Sequence, residues 1–318
     1  MADPPSKITE EMAAPREVYG ETLAELGGEN QRIVVLDADL HNSTRSVLFA
    51  KRFPERFFEV GIAEQNMIGT AAGLALAGFV PFVNSFAVFL TSRAYDQIRV
   101  SVAYSNLNVK LCGSSAGLSD TGDGATHQSI EDISLMRSLP NMTVIVPADG
   151  VETRKATREI AHHKGPVYLR LSRLEVPALV SPDYRFEIGK AVSLREGRDV
   201  TIFACGTMVK IALDGASDLA QEKISAQVVN VSTIKPLDQE NVIRFARGTG
   251  SVVVAEEHSI IGGLGSAVLE ALSGDRIPVQ CIGIPDSFGQ SSLDYAQLLS
   301  AYQLTKEHIV EKVRTVLK

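Results

Sequence analysis

Cysteine is scarce: Cys112, Cys205 and Cys281 are the only three in 318 residues. An odd, widely spaced set inside apolar, strand-like segments excludes a disulfide framework and offers no metal-ligand spacing. Buried reduced thiols of a cytosolic protein are expected instead. The opening residues, MADPPSKITEEM, lack an apolar core and carry acidic side chains, so no export or organelle signal is read. An excess of positive charge is missing as well. The formal net charge of −7 favours solubility and argues against general nucleic-acid binding. No tandem repeat or low-complexity segment is visible.

One absence is local. From Gln65 to Ser92 no side chain is charged, and Glu64 stands alone at the head of that run. About 20 consecutive apolar residues would cross a bilayer. Here Gly78 and Pro81 punctuate the run, and Asn84, Ser85, Thr91 and Ser92 interrupt it. No flanking Lys/Arg asymmetry sets an orientation. The membrane reading is rejected. The expectation is a small-residue helix over 65–78 and a strand over 80–86, buried on all sides of a soluble core.

What is present is alternation. Short apolar runs read as strands: RIVVLDADL, FFEVG, VPFVNSF, NVKLCGS, MTVIVPAD and PVYLRLS. Helical patterns lie between them, over 91–104, 127–138 and 151–162 among others. A proline-bearing stretch without periodicity, 173–188, reads as a linker. A second series follows, DVTIFACG, AQVVNVSTI, GSVVVAEE and PVQCIGIP, with a last helix at 306–316. This predicts an α/β protein of two parallel-sheet domains, 1–180 and 188–318. Ligands bind at strand ends in such sheets, which draws attention to the residues after Asp39, Gly61, Ser85 and Ser114.

Three motifs suggest chemistry and fall short. Gly122-Asp123-Gly124 has the look of a metal and diphosphate triplet, but the next Asn, Asn141, comes too early. Gly262–Ser266, GGLGS, lacks the third glycine of a dinucleotide loop and reads as a tight turn into a helix. Glu256–Ser259, EEHS, has no second His at helical spacing, so a surface loop is expected. No metal ligands are assigned.

Glu64 taken alone reads equally well as a plain helix N-terminal charge. Phe86 and Phe89 after the next strand, and His127 after a glycine-rich loop, change its context. A carboxylate, an aromatic wall and a loop histidine at successive strand ends suit a heteroaromatic cofactor. Individually, the phenylalanines could be core and the histidine a structural hydrogen-bonder.

FFEVGIAEQNM, FVNSFAVFLTSRAYDQIR, GDGATHQSIEDI, GPVYLRLSR, VVVAEEHSIIGGLGSAV and IGIPDSFGQSS occur in order along nearly the whole chain. Together they resemble the carboxyl-terminal half of transketolase, a thiamine diphosphate enzyme. The resemblance implies a pyrimidine-binding domain followed by a transketolase carboxyl-terminal domain. It implies that Glu64 exchanges a proton with the cofactor's aminopyrimidine, a role apolar burial would favour by raising a carboxyl pKa. Phe89, with Phe86 beside it, would stack on that ring, and Asp39 would be a cofactor-side acid. Arg16, Ser43 and Arg173 would hold a sugar phosphate. Asp123 and His127 would contact sugar hydroxyls, His127 acting with Glu64 as catalytic. Arg16 could also simply face solvent, and Ser43 could cap a helix.

Departures accompany the likeness. Gly113 stands where many transketolases place a phosphate-contacting His, and the loop that follows is about two residues longer. The spacing after Phe89 differs by one residue, leaving Ser92 or Arg93 where some relatives have an aromatic. Nothing matches the amino-terminal domain that holds the diphosphate and its magnesium or calcium. The resemblance therefore implies a split, cytoplasmic transketolase that transfers a two-carbon ketol unit between sugar phosphates, of the pentose phosphate pathway or of a specialised sugar pathway. An amino-terminal subunit would complete an α2β2 assembly. Alternatives are the beta subunit of a 2-oxo-acid dehydrogenase, a deoxyxylulose-phosphate synthase-like enzyme, or a non-catalytic paralogue.

Overall fold

The structure, a computed structural model, describes residues 12–318. In its first half six strands run parallel: β1 (Ile33–Asp37), β2 (Phe57–Glu59), β3 (Val80–Phe86), β4 (Lys110–Ser114), β5 (Thr143–Ile145) and β6 (Val167–Arg170). Every residue of β1, β3 and β4 is buried. Continuous apolar runs are what a parallel sheet covered on both faces requires. The second half builds a five-stranded sheet. In it β8 (Val200–Ala204), β9 (Ala226–Asn230), β11 (Val252–Ser259) and β12 (Val279–Ile284) are parallel, and β7 (Val192–Arg195) lies antiparallel on the edge beside β9. The α/β expectation holds, with one refinement. β10 (Thr233–Lys235) leaves its own half and joins the first sheet antiparallel to β5, giving the order β10-β5-β6-β4-β3-β1-β2.

The helices begin in different ways, three of those named here on a side-chain cap. α1 (Pro15–Glu29) opens on proline, whose missing N–H is no loss at that position. α2 (Glu64–Leu76) opens on the lone carboxylate, and α3 (Asp132–Ser138) follows the long loop after β4. The Asp149 side chain accepts from Glu152 N–H to start α4 (Gly150–His162). After α5 (Met208–Gln221), Asp238 caps α6 (Gln239–Thr249) in the same way. α7 (Leu264–Ala271) precedes β12, and Thr305 caps α8 (Lys306–Val316). One apolar cluster holds Met136, Val144 and Tyr168 from the first half with Phe203, Val229 and Val254 from the second. The halves share a core. Among the described residues no helix is long and apolar enough to cross a membrane.

Four local expectations need correction. The 65–78 helix is not buried on all sides: Gln65, Asn66, Gly69, Thr70, Gly73 and Leu76 form an exposed face, Leu76 at 75%. Absence of charge there reflects small residues as well as core. The pattern over 127–138 is helical only from Asp132, because His127 closes a short 3-10 turn at Gly124–Thr126. The pattern over 91–104 becomes a π-turn, Phe89–Arg93, one α-turn at Tyr95–Gln97, and a second π segment, Ile98–Tyr104. A π-turn accommodates one residue more than an α-turn, so the fold has room for the altered spacing after Phe89.

The fourth correction is the largest. Glu256, Glu257 and His258 are not a surface loop; they are the buried end of β11. Burial is tolerated because each finds donors or acceptors. Glu256 accepts the first N–H groups of α7, from Leu264 at 2.7 Å and Gly265 at 2.8 Å. A Cβ at Gly263 would lie 2.0 Å from that carboxylate, so the tight turn needs glycine. Glu257 accepts from Leu118 N–H at 2.6 Å and Tyr295 Oη at 2.8 Å. His258 Nδ1 donates to Ser259 O, and its Nε2 accepts from Ser134 N–H. Of the three free cysteines, Cys112 and Cys205 are buried and Cys281 is half-buried.

Candidate functional site

Glu64 is the first residue of α2, where unpaired N–H groups and the helix dipole favour a carboxylate. Its side chain is 1% exposed. The surroundings are not wholly apolar, which corrects that part of the expectation. Arg93 Nη1 donates to both Glu64 oxygens, at 2.8 and 2.9 Å, and Gln65 Nε2 donates to the Arg93 carbonyl at 3.1 Å. The same guanidinium lies over the Phe89 ring, 4.6 Å from its centroid.

β3 ends at Phe86, and the π-turn brings Phe89 nearly parallel to it, with centroids 6.0 Å apart and planes 16° from parallel. His127 meets both rings edge-on, at 6.1 and 5.1 Å. Thr126 Oγ1 lies 2.9 Å from His127 Nδ1, and the exposed Asp123 lies 4.0 Å from Nε2. Glu64, Phe86, Phe89 and His127 thus form one wall through Arg93 and Phe89. A flat group can lie over Phe89 while its edge meets Glu64, because the guanidinium lies over that ring and bonds that carboxylate. That is the fit a heteroaromatic cofactor needs.

A second group is cationic. The N-terminus of α1 docks on the end of β6, Arg16 N–H donating to Ser172 O, while Arg16 Nη1 donates to the Ser43 carbonyl at 3.2 Å. Burial first, and the charge of Arg173 next, lower the Arg16 pKa, with Arg45 acting in the same sense. Arg16 Nε is buried without a hydrogen-bond acceptor, while the Glu17 carboxylate, which also pairs with Arg45, lies 3.7 Å away and acts in the opposite sense. Arg173 is held by Asp120, Nη1 to Oδ2 at 2.7 Å, and Asp120 is nearly buried. Like charges crowded around an unmet donor suit an anion. Arg16, Ser43 and Arg173 therefore come together. Arg45 and Asp120 were not anticipated; nothing in their local sequence marks them.

The loop after β4 links the two groups. Gln128 Nε2 donates to Asp120 O at 3.1 Å and to Gln290 O at 3.0 Å, and Ser292 N–H donates to Thr121 O. The carboxyl-terminal half thus buttresses the loop that carries Asp120, Asp123 and His127. Gly113 has a physical reason here. A Cβ would lie 2.5 Å from Tyr168 Oη, and that hydroxyl donates to buried Asp132 at 2.6 Å. Arg170, also on Asp132 at 2.8 Å, fixes the carboxylate in place. Gly113→Ala is expected to destabilise the chain by about 1–3 kcal/mol, the usual cost of overpacking. A lower urea midpoint at unchanged slope would show it, and an unchanged midpoint would mean that Tyr168 moves freely.

Asp39 lies exposed after β1 with a left-handed backbone, φ 62°, its N–H donating to Glu59 at 2.8 Å. Its buried neighbour Asp37 shapes that loop by accepting from Leu40 N–H, Thr44 Oγ1 and Ser46 Oγ. Asp37, His41 and Glu59 approach within 4.8 Å of one another. Asp37 already accepts three hydrogen bonds and His41 Nδ1 pairs with Glu59 at 3.0 Å, so each member of the group has a partner. Burial raises the Asp37 pKa to about 6 against the hydrogen bonds that lower it. A folded-state pKa above the unfolded value makes this contribution fully present below about pH 4, and it is lost as pH rises through 6. Asp37→Asn should therefore gain on wild type by up to about 2–3 kcal/mol between pH 4 and pH 7.5. Urea titrations at the two pH values measure it; a pH-independent difference would contradict it.

Cavities of about 620 Å³, lined partly by Arg137 and Lys235, and about 680 Å³, lined partly by Tyr95 and Tyr104, lie elsewhere and contain none of these residues. The wall is an open face, with Arg93 45% exposed.

Comparison with known proteins gives a consistent result. Residues 11–178 match the transketolase pyrimidine-binding domain, and residues 189–309 match the transketolase C-terminal domain. A putative transketolase C-terminal section of Methanocaldococcus jannaschii is 46% identical over 95% of this chain and 96% of its own length. A 6-deoxy-6-sulfo-D-fructose transketolase subunit of a Clostridium species is also 46% identical, over 95% and 94%. Among solved structures, a split gene transketolase described as an inactive beta4 tetramer superposes with a TM-score of 0.88 at 50% identity, covering 96% of this chain and 99% of that one.

Proposed function

The chain belongs to the transketolase family, and from that premise we propose that it is the carboxyl-terminal subunit of a split transketolase. It would transfer a two-carbon ketol unit between sugar phosphates with thiamine diphosphate, in a reducing cytoplasm that suits its free thiols. The observation that carries this reading is the half-built wall: a buried Glu64 beside Phe86, Phe89 and His127, open on the side where a second subunit would close it. The two curated relatives support it, since a section and a subunit are each matched over nearly their whole length.

Bound thiamine diphosphate would supply the nucleophilic carbon and electron sink for carbon–carbon bond exchange. Glu64 would hold and return a proton at the aminopyrimidine nitrogen. Phe89, flanked by Phe86, would position the ring, and Asp39 would act from the end of β1. His127 and Asp123 would hydrogen-bond sugar hydroxyls. Arg16, Arg173 and the Ser43 region would hold the terminal anion of the sugar. A relative named for 6-deoxy-6-sulfo-D-fructose makes a sulfonate a second candidate for that anion. An amino-terminal subunit would contribute the diphosphate site and its magnesium or calcium in an α2β2 assembly. The exposed small-residue face of α2 permits close helix approach and would lie at that junction.

Reconstitution tests the reading. The chain alone, titrated with thiamine diphosphate and magnesium, should show no micromolar binding and no ketol transfer; a diphosphate-domain partner should restore both. Tight binding or turnover by the chain alone would refute it.

A further inference from the structure

We propose that Arg93 is a built-in occupant of the aminopyrimidine position, which the cofactor must displace. The inference rests on the roles proposed above for Glu64 and Phe89. Two features define the place a stacked, edge-bonded ring would take: the face of Phe89 and the oxygens of Glu64. The Arg93 guanidinium claims both at once, 4.6 Å over the ring and 2.8 and 2.9 Å from the carboxylate. A planar group of that size cannot share the position with a second planar group.

The geometry follows from the chain. Phe89 and Arg93 are four residues apart on a single π-turn, so their side chains fall on neighbouring positions of one face. Gln65, next to Glu64, anchors the turn through the Arg93 carbonyl, and Thr91 Oγ1 ties it to Ala87 O at 2.8 Å. The backbone is therefore held while the arginine side chain, 45% exposed, has solvent to swing into. A buried carboxylate left unpartnered would be costly, and the guanidinium removes that cost until another donor arrives. Release of Arg93 then accompanies loading, so the chain by itself favours the closed arrangement.

The expected effect is a penalty on pyrimidine binding. Affinity is reduced by the fraction of molecules in which the position is free. A hydrogen-bonded ion pair with a stacked cation would hold that fraction low; partial solvent exposure of Arg93 moderates the effect. Removing Arg93 should tighten binding by about tenfold or more.

The probe is the aminopyrimidine half alone, 4-amino-5-hydroxymethyl-2-methylpyrimidine, titrated by NMR into the full chain. Arg93→Ala deletes the occupant, and Arg93→Met keeps the stem packing on Phe89 in case the first variant folds poorly. Both should bind the probe at least about tenfold more tightly than wild type, and Arg93→Lys, charged but not planar, should fall between. Equal affinity would make Arg93 a bystander, weaker affinity would make it a ligand of the ring, and no saturation by any form would mean that the freed position holds no aminopyrimidine. Each of these overturns the inference. The first two leave the reading of Glu64 as a proton-transfer group untouched, and the failure of that reading would appear separately, as retained turnover of Glu64→Gln.

Discussion

Glu64→Gln in the assembled enzyme is expected to lower turnover by about 10²–10⁴-fold, the usual consequence of removing a proton-transfer group. The amide keeps the length and shape of the side chain, so the aromatic wall has no reason to move. What it loses is the exchangeable proton. Some stability is lost as well, for two reasons visible around the carboxylate. The start of α2 favours a negative charge, a contribution of about 0.3–1 kcal/mol, and Gln would turn an NH₂ group toward the Arg93 guanidinium. Together these amount to roughly 1–2 kcal/mol, whereas the activity loss corresponds to roughly 3–5 kcal/mol in the barrier. Steady-state turnover measured beside a urea midpoint separates the two. If the assembled variant kept a third of wild-type turnover, Glu64 would be structural.

Arg173→Ala is the second large effect. A charge-assisted contact to a phosphate contributes about 1.5–3 kcal/mol, so KM for a phosphorylated sugar should rise roughly ten- to a hundredfold. Turnover should change little, because the anion is bound alike in the ground and transition states. The arrangement adds a complication. Arg173 also holds Asp120, and its removal leaves a nearly buried carboxylate near Arg16, the second cation of the cluster. Part of any loss would then come from Asp120 drawing Arg16 away from the anion. Arg173→Lys keeps the charge and loses the fork, and should be intermediate. A donor without phosphate, such as hydroxypyruvate, should be nearly indifferent to either change. Equal impairment with hydroxypyruvate and xylulose 5-phosphate would show a damaged site and would falsify the phosphate role. Gly113 raises the stakes for both arginines, since Tyr168 fills the space a side chain there would need.

The strands of the first sheet were readable because a doubly covered parallel sheet leaves its mark within each segment: β1, β3 and β4 are buried at every residue. Glu64 was readable for the opposite reason, as the one charge heading a long uncharged run. Properties carried by a local run of residues are determined by the sequence itself. The remainder depends on neighbours distant in the chain. EEHS looks like surface by composition, yet Glu257 takes its donors from Leu118, Thr207 and Tyr295, and no local pattern announces them. The glycine at 113 is explained only by a tyrosine on the adjacent strand, and the direction of Arg93 only by a carboxylate in a different helix. The exposed face of α2 could not be told from core, because small uncharged residues suit a buried helix and a docking face alike. Local runs of apolar residues decided which segments form strands and where the lone acid stands. Burial of charge was decided by tertiary structure, because a charge is buried only where the fold delivers its partner.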